Sequence, residues 1–294
     1  MPFTSEQLTI MLHASSRSDT RGSTDRMASV QFLRWLAVTL VVLFHSNLQI
    51  LRLSDGQHLH SFAFGAAGTD MLFVIGGFIM VFITHGKSIG FGEFLVRRVA
   101  RIAPLYWLLT LLMLGAFLAS PGLFRTTAFD LSHFLASLAF LPYPHPVLGS
   151  QHPFLAPGWV LNYFLFFYIL FALFLFLPTK RRIVVVGLIL CALAALWLWF
   201  FGASRLLDFY GAPIILDFGL GMLVAWAYLE RNAVGPLVIA MALATSAVIF
   251  GLGVLREIAG GNDRFLYWGL ASAALLFACV FTEKERGWRN PPLC

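Results

Sequence analysis

Long apolar stretches separated by short polar joins dominate the chain. A membrane-crossing helix needs roughly 20 mostly apolar residues at 1.5 Å rise each. Eight stretches qualify, at about 29–51, 62–84, 103–120, 158–178, 182–201, 209–229, 233–255 and 265–282. They predict an all-α fold, a polytopic transmembrane helical bundle. Residues 129–141 (FDLSHFLASLAFL) are apolar but too short to cross, with Asp130 and His133 near one end. They predict an interfacial or re-entrant helix inside a loop of about 121–157 that is rich in Pro and His. A loop of that length points to function more than to connection.

The flanks read differently. Residues 1–28 are polar, rich in Ser, Thr and Arg, and are expected to form a disordered tail. Residues 29–282 form the transmembrane domain and 283–294 a second short tail. No apolar leader segment precedes the first span and no small-residue cleavage site follows it, so a cleaved signal peptide is not expected. Met27, directly before the first span, is an alternative translation start.

Composition sharpens the class. Hydrophobic residues make up 59% of the 294 and charged residues 12%, about half the charged share of a soluble domain. The net charge of +6 does not imply nucleic acid, because the basic residues fall between apolar runs and so report topology. With the N-terminus in the cytoplasm, 15 of the 20 Lys and Arg residues lie on the inner side and 5 on the outer. Both termini are therefore expected in the cytoplasm. If 129–141 crossed, Lys180, Arg181 and Arg182 would move outside and the bias would weaken. Cys191, Cys279 and Cys294 lie far apart, with neither a metal spacing nor a disulfide framework. No internal repeat, glycine-rich phosphate loop or metal motif is present.

Charged groups inside spans cost on the order of 2.5–3.5 kcal/mol each and need a reason. In the first span Arg34 and His45 are eleven residues apart, which places them on one helix face roughly 16 Å apart along the axis. Asp70 and Asp217 are the acids well inside spans, at the depth expected for His45. Trp159, Asn162 and Tyr163 open the fourth span at that same level. On the inner side Arg97, Arg98 and Arg101 precede Pro104, which is expected in a first helical turn, where its missing N–H has no partner. The chemistry suggested is two-sided. The inner arginines suit a phosphorylated donor, since guanidinium groups grip phosphate in a planar, bidentate way. His45 is placed to act as general base on a hydroxyl or to carry an acyl group, with a carboxylate such as Asp70 fixing its tautomer. Gly65, Gly68, Gly76 and Gly77 allow close helix approach or leave room for a narrow channel. Plainer readings stand beside these: topological anchoring for the arginines, interhelical bonding for Asp70 and Asp217, and membrane-interface residues for Trp159 and Tyr163.

Four blocks resemble the acyltransferase 3 family of bacterial membrane proteins, in particular its exopolysaccharide acetyltransferase branch. They are Gln31–Arg34 running on to His45, Gly68–Met80, Arg97–Trp107, and Gly158–Tyr163 ending in Phe166-Phe167-Tyr168. A weaker fifth runs from Leu216 to Met222, with Asp217 where the family more often has Glu. The resemblance implies an O-acetyltransferase of the bacterial cytoplasmic membrane. Acetyl-CoA would be the cytoplasmic co-substrate, with no permanently bound cofactor, and a carbohydrate or lipid-linked glycan hydroxyl the acceptor. It maps the family's functional positions to Arg34, His45, Arg98 and Arg101. Asp70 is then the orienting acid, and Trp159, Asn162, Tyr163 and Asp217 are acceptor contacts. Three departures stand out: Phe164 replaces a family Glu, Gly76 replaces a Ser, and relatives continue through about two more spans after the position of Cys294. A glycan-export or transport component and an inactive homologue are the competing functions.

Overall fold

The computed structural model describes residues 27–53, 62–124, 127–147, 149–231, 233–258 and 260–285. Most of the two expected tails, 1–26 and 286–294, lies outside the described residues. Eight helices are long and apolar enough to cross a membrane, and no strand occurs among the described residues. The crossing helices are α1 (Ala28–Leu53), α2 (Ala67–Thr84), α3 (Phe91–Ala119), α5 (Trp159–Leu173), α6 (Thr179–Phe200), α8 (Leu216–Glu230), α9 (Pro236–Leu255) and α10 (Leu270–Glu285). Two short helices, α4 (Leu131–Leu138) and α7 (Arg205–Tyr210), lie in the loops before α5 and α8. The apolar segment 129–141 is thus a short helix and not a span, as its length predicts.

Boundaries differ from the expected ones where local chemistry intervenes. Helix α3 begins twelve residues before the predicted span, after Gly90, and runs through Pro104. Pro104 is therefore a mid-helix proline, not a first-turn one; the ring removes only the bond to the Ala100 carbonyl and the helix continues. Arg97, Arg98 and Arg101 accordingly sit on successive turns of a rigid helix instead of a loop. Helix α9 starts at Pro236, where the missing N–H has no helical partner. Helix α10 is entered through a π-helical turn, Phe265–Gly269.

Helix α2 is the hub and is buried around nearly its whole circumference. It crosses α8 at glycines: a Cβ on Gly221 would come within 2.8 Å of the Phe78 nitrogen, and one on Gly77 within 2.8 Å of the Phe218 carbonyl carbon. Gly65 and Gly68 play the same part against α1. These glycines serve close approach, with backbone filling the room a channel would need. Phe218 stacks on Phe73 at 4.6 Å and on Phe167 at 4.2 Å, tying α2, α5 and α8 into one aromatic core.

Polar groups close the helix ends on one face. The Glu283 carboxylate accepts hydrogen bonds from the Ala28 and Ser29 amides, joining the start of α1 to the end of α10. Arg182 donates to Thr84 Oγ1 and to the carbonyls of Phe174, Leu175 and Leu177, which end α5. Cations at helix C-termini satisfy carbonyls that have no partner within the helix.

Candidate functional site

Helices α1 and α3 bring Arg34, Arg98 and Arg101 to one cavity of about 670 Å³. Its opposite wall is apolar, from Phe78, Ile79, Phe82 and Ile83 of α2. That volume lies in the range of about 300–1,000 Å³ that suits small molecules. Lys87 and Arg97 add positive charge at the rim, and Arg97 is neutralised by Glu93 at 2.6 Å one turn earlier. Among the described residues, Arg34, Arg98 and Arg101 have no carboxylate partner. Arg98 lies over the Phe94 ring at 5.7 Å, and its buried Nε has no acceptor. The Tyr168 hydroxyl sits in the field of all three arginines. Tyr168 ends a block singled out in the sequence, but only packing reveals which cluster it joins.

His45 is half-buried on the same helix as Arg34, toward the opposite face of the bundle. It does not line the arginine cavity. Its Nδ1 lies 2.8 Å from the Val41 carbonyl. A carbonyl only accepts, so Nδ1 carries the proton and the neutral ring presents the Nε2 lone pair. The tautomer suited to a general base is thus set by the helix's own backbone.

Asp70 does not lie at the depth of His45, contrary to expectation. Gly68 packs against Ala37, Leu40 and Val41, and Gly65 against Leu40 and Phe44. That register puts Asp70 near the level of Ala37, about eight residues or roughly 12 Å deeper than His45. Its carboxylate is fully buried and is gripped by Arg264: Nη2 at 2.5 Å from Oδ2 and Nε at 3.1 Å from Oδ1. Arg264 also donates to the Ala66 carbonyl. Asp217 lies beside this pair, fully buried, with its carboxyl close enough to Asp70 to share a proton and no N–H donor on either oxygen among the described residues. Arg264 was legible only as a loop arginine, although two acids buried in spans demand a cation.

The acceptor residues expected on α5 are mostly core. Tyr163 is buried, stacks on Phe209 at 4.4 Å and donates its hydroxyl to the Phe209 carbonyl. Trp159 packs edge-on against Phe73 and Tyr163. Asn162 is fully buried, with no partner for either amide atom. Phe164 packs on Phe73 and Phe218, both at 5.3 Å, and its Cε1 would lie 2.6 Å from a Cβ at position 76. Positions 164 and 76, both singled out in the sequence, are therefore in contact: the ring occupies the space that a side chain at 76 would need.

The acyltransferase domain family (acyltransferase 3) matches residues 27–293. An exopolysaccharide production protein, ExoZ, of Rhizobium meliloti (strain 1021) is 40% identical over 200 residues, which cover 66% of this chain and 62% of that protein. The chain thus aligns with somewhat less than two thirds of that relative's length. No solved structure matches it. With the family's domain spanning the eight membrane-crossing helices, the chain belongs to the acyltransferase 3 family of multi-pass membrane proteins.

Proposed function

We propose that the protein is a membrane-bound O-acyltransferase that moves an acetyl group from acetyl-CoA to a hydroxyl of an exported polysaccharide. The observation that carries this reading is the convergence of Arg34, Arg98 and Arg101, all without acidic partners among the described residues, on one cavity beside the helix that bears His45. Unpaired arginines suit the phosphates of the donor's nucleotide end. The cavity then marks the cytoplasmic face, in agreement with the positive-inside bias. The donor's extended arm would carry the thioester along α1 toward His45. There the Nε2 lone pair takes the proton of the acceptor hydroxyl as its oxygen attacks the thioester carbonyl. The new C–O ester bond forms, the C–S bond breaks, and the proton passes to the departing thiolate. The similarity to an exopolysaccharide production protein supports a glycan as acceptor.

The test is transfer from labelled acetyl-CoA to glycan in membranes. His45→Ala is expected to remove transfer, by on the order of 10²–10⁴-fold for loss of a general base. Arg98→Gln is expected to raise the donor KM with a smaller change in kcat. Equal transfer by wild type and His45→Ala would sink the proposal. A transport reading needs Asp70 and Asp217 free along a path; the Arg264 clamp on Asp70 weighs against it. Substrate movement without any donor would favour it.

A further inference from the structure

We propose that residues 129–141 form a re-entrant hairpin arm embedded in the lipid leaflet opposite the arginine cavity, with Leu131, Leu135 and Leu141 facing acyl chains. Depth is the first argument. Gly158, at the start of α5, faces Tyr106: a Cβ there would be 2.5 Å from the ring. Helix α5 therefore ends at the level of Tyr106, while α3 continues thirteen residues further to Ala119, or roughly 20 Å. That far half of α3 is membrane surface, with Leu108, Leu109, Leu111 and Leu112 exposed.

The segment 129–141 fills the missing depth. Near its start, Phe129 and Phe134 pack on Phe154, which touches Phe117 close to the end of α3. Near its finish, Trp107 Nε1 donates to the Leu138 carbonyl at 2.9 Å and Tyr106 Oη to the Ser137 carbonyl at 3.2 Å. Phe140 packs on the Tyr106 ring at 5.0 Å. The chain thus descends along the lipid-exposed half of α3 and then returns.

Polarity is the second, independent argument, because α4 is built inside out. His133 and Ser137 are 0% and 1% exposed, whereas Leu131 and Leu135 are 59% and 55% exposed, and Leu141 beyond the helix 56%. Such a helix makes sense against an apolar medium, not water. Most of its polar groups are satisfied internally, as a bilayer favours, with His133 Nδ1 left without a partner among the described residues. Asp130 caps the helix through the His133 amide, His133 Nε2 donates to the His152 carbonyl, and Ser137 Oγ accepts from the Phe154 amide.

The experiment uses the full chain in lipid nanodiscs, with Cys191, Cys279 and Cys294 replaced by Ala and single cysteines at Leu131, Leu135 or, as the aqueous control, Gln151. Leu131→Cys and Leu135→Cys are expected to react with a hydrophilic maleimide at least tenfold more slowly than Gln151→Cys. A fluorophore at either site is expected to be quenched by phospholipids brominated in the acyl chain. Reaction as fast as Gln151→Cys would overturn the proposal. Protection without lipid quenching would also overturn it, because protein, a second copy included, would then cover the face. Both substitutions lie on exposed positions, and a monodisperse elution profile reports that each variant is folded.

Discussion

His45 and Asp70 illustrate how side chains that share a span-based depth estimate acquire different roles. His45 takes its tautomer from the Val41 carbonyl, a partner four residues away on its own helix. Asp70 has an ion-pair partner 194 residues away, the guanidinium of Arg264. Asp70→Asn would leave the Arg264 guanidinium buried without its counter-ion, a loss of about 3–5 kcal/mol. The expected outcome is a large drop in thermal midpoint in detergent. Asp217→Asn removes a buried carboxyl that holds no N–H donor among the described residues, so its midpoint should change far less. If the two variants melt alike, the assignment of the ion pair to Asp70 is wrong.

Helices meet where side chains are missing or complementary. Gly221→Ala would drive a Cβ against the backbone of Val74 and Phe78, which has no rotamer by which to yield. The expected cost is about 3 kcal/mol, near the upper end of ordinary overpacking; fluorescence-detected size exclusion after heating reads it directly. Gly76→Ala meets instead the Phe164 ring. That variant should be destabilised by about 1–3 kcal/mol and rescued by the double substitution with Phe164→Leu. Failure of the rescue would show that the two positions are not coupled.

For the molecule as a whole, the two faces differ in kind. The arginine face is cationic and holds a cavity, whereas the opposite face is covered by the hairpin and by α7, joined where Gln151 Nε2 donates to the Arg205 carbonyl. On the buried side of the hairpin, its His133 meets His145 ring to ring at 5.0 Å, with Tyr143 and His152 alongside. Burial, with the neighbouring His133 and His152, holds His145 below the usual imidazole value of 6.5, and burial does the same for His152. A depressed folded value means that their contribution to stability is complete above about pH 6.5 and is lost as pH falls through the folded values. Protection factors across 129–155, corrected for the intrinsic exchange rate at each pH, should therefore fall as pH drops from about 7 to about 5, while those in α2 stay constant. Unchanged protection of the hairpin would contradict this.

Periodicity and composition alone determined the class: a run of about 20 apolar residues has no stable place but a bilayer, so eight helices, and 129–141 as something shorter, followed from the chain itself. The arginines and His45 were legible for the same reason, since charge inside a span is costly and conspicuous. Pairing was not legible. Arg264 counted only as a loop cation, Tyr168 as an aromatic in an apolar run, and Asp70 as a neighbour of His45, because depth along one helix says nothing of rotation or register against the next. Those choices arise where glycines let α1, α2 and α8 approach, and only that packing decided which acid met which cation. Tertiary structure likewise decided that Pro104 lies within a continuous helix, so that three arginines face one cavity from a rigid element.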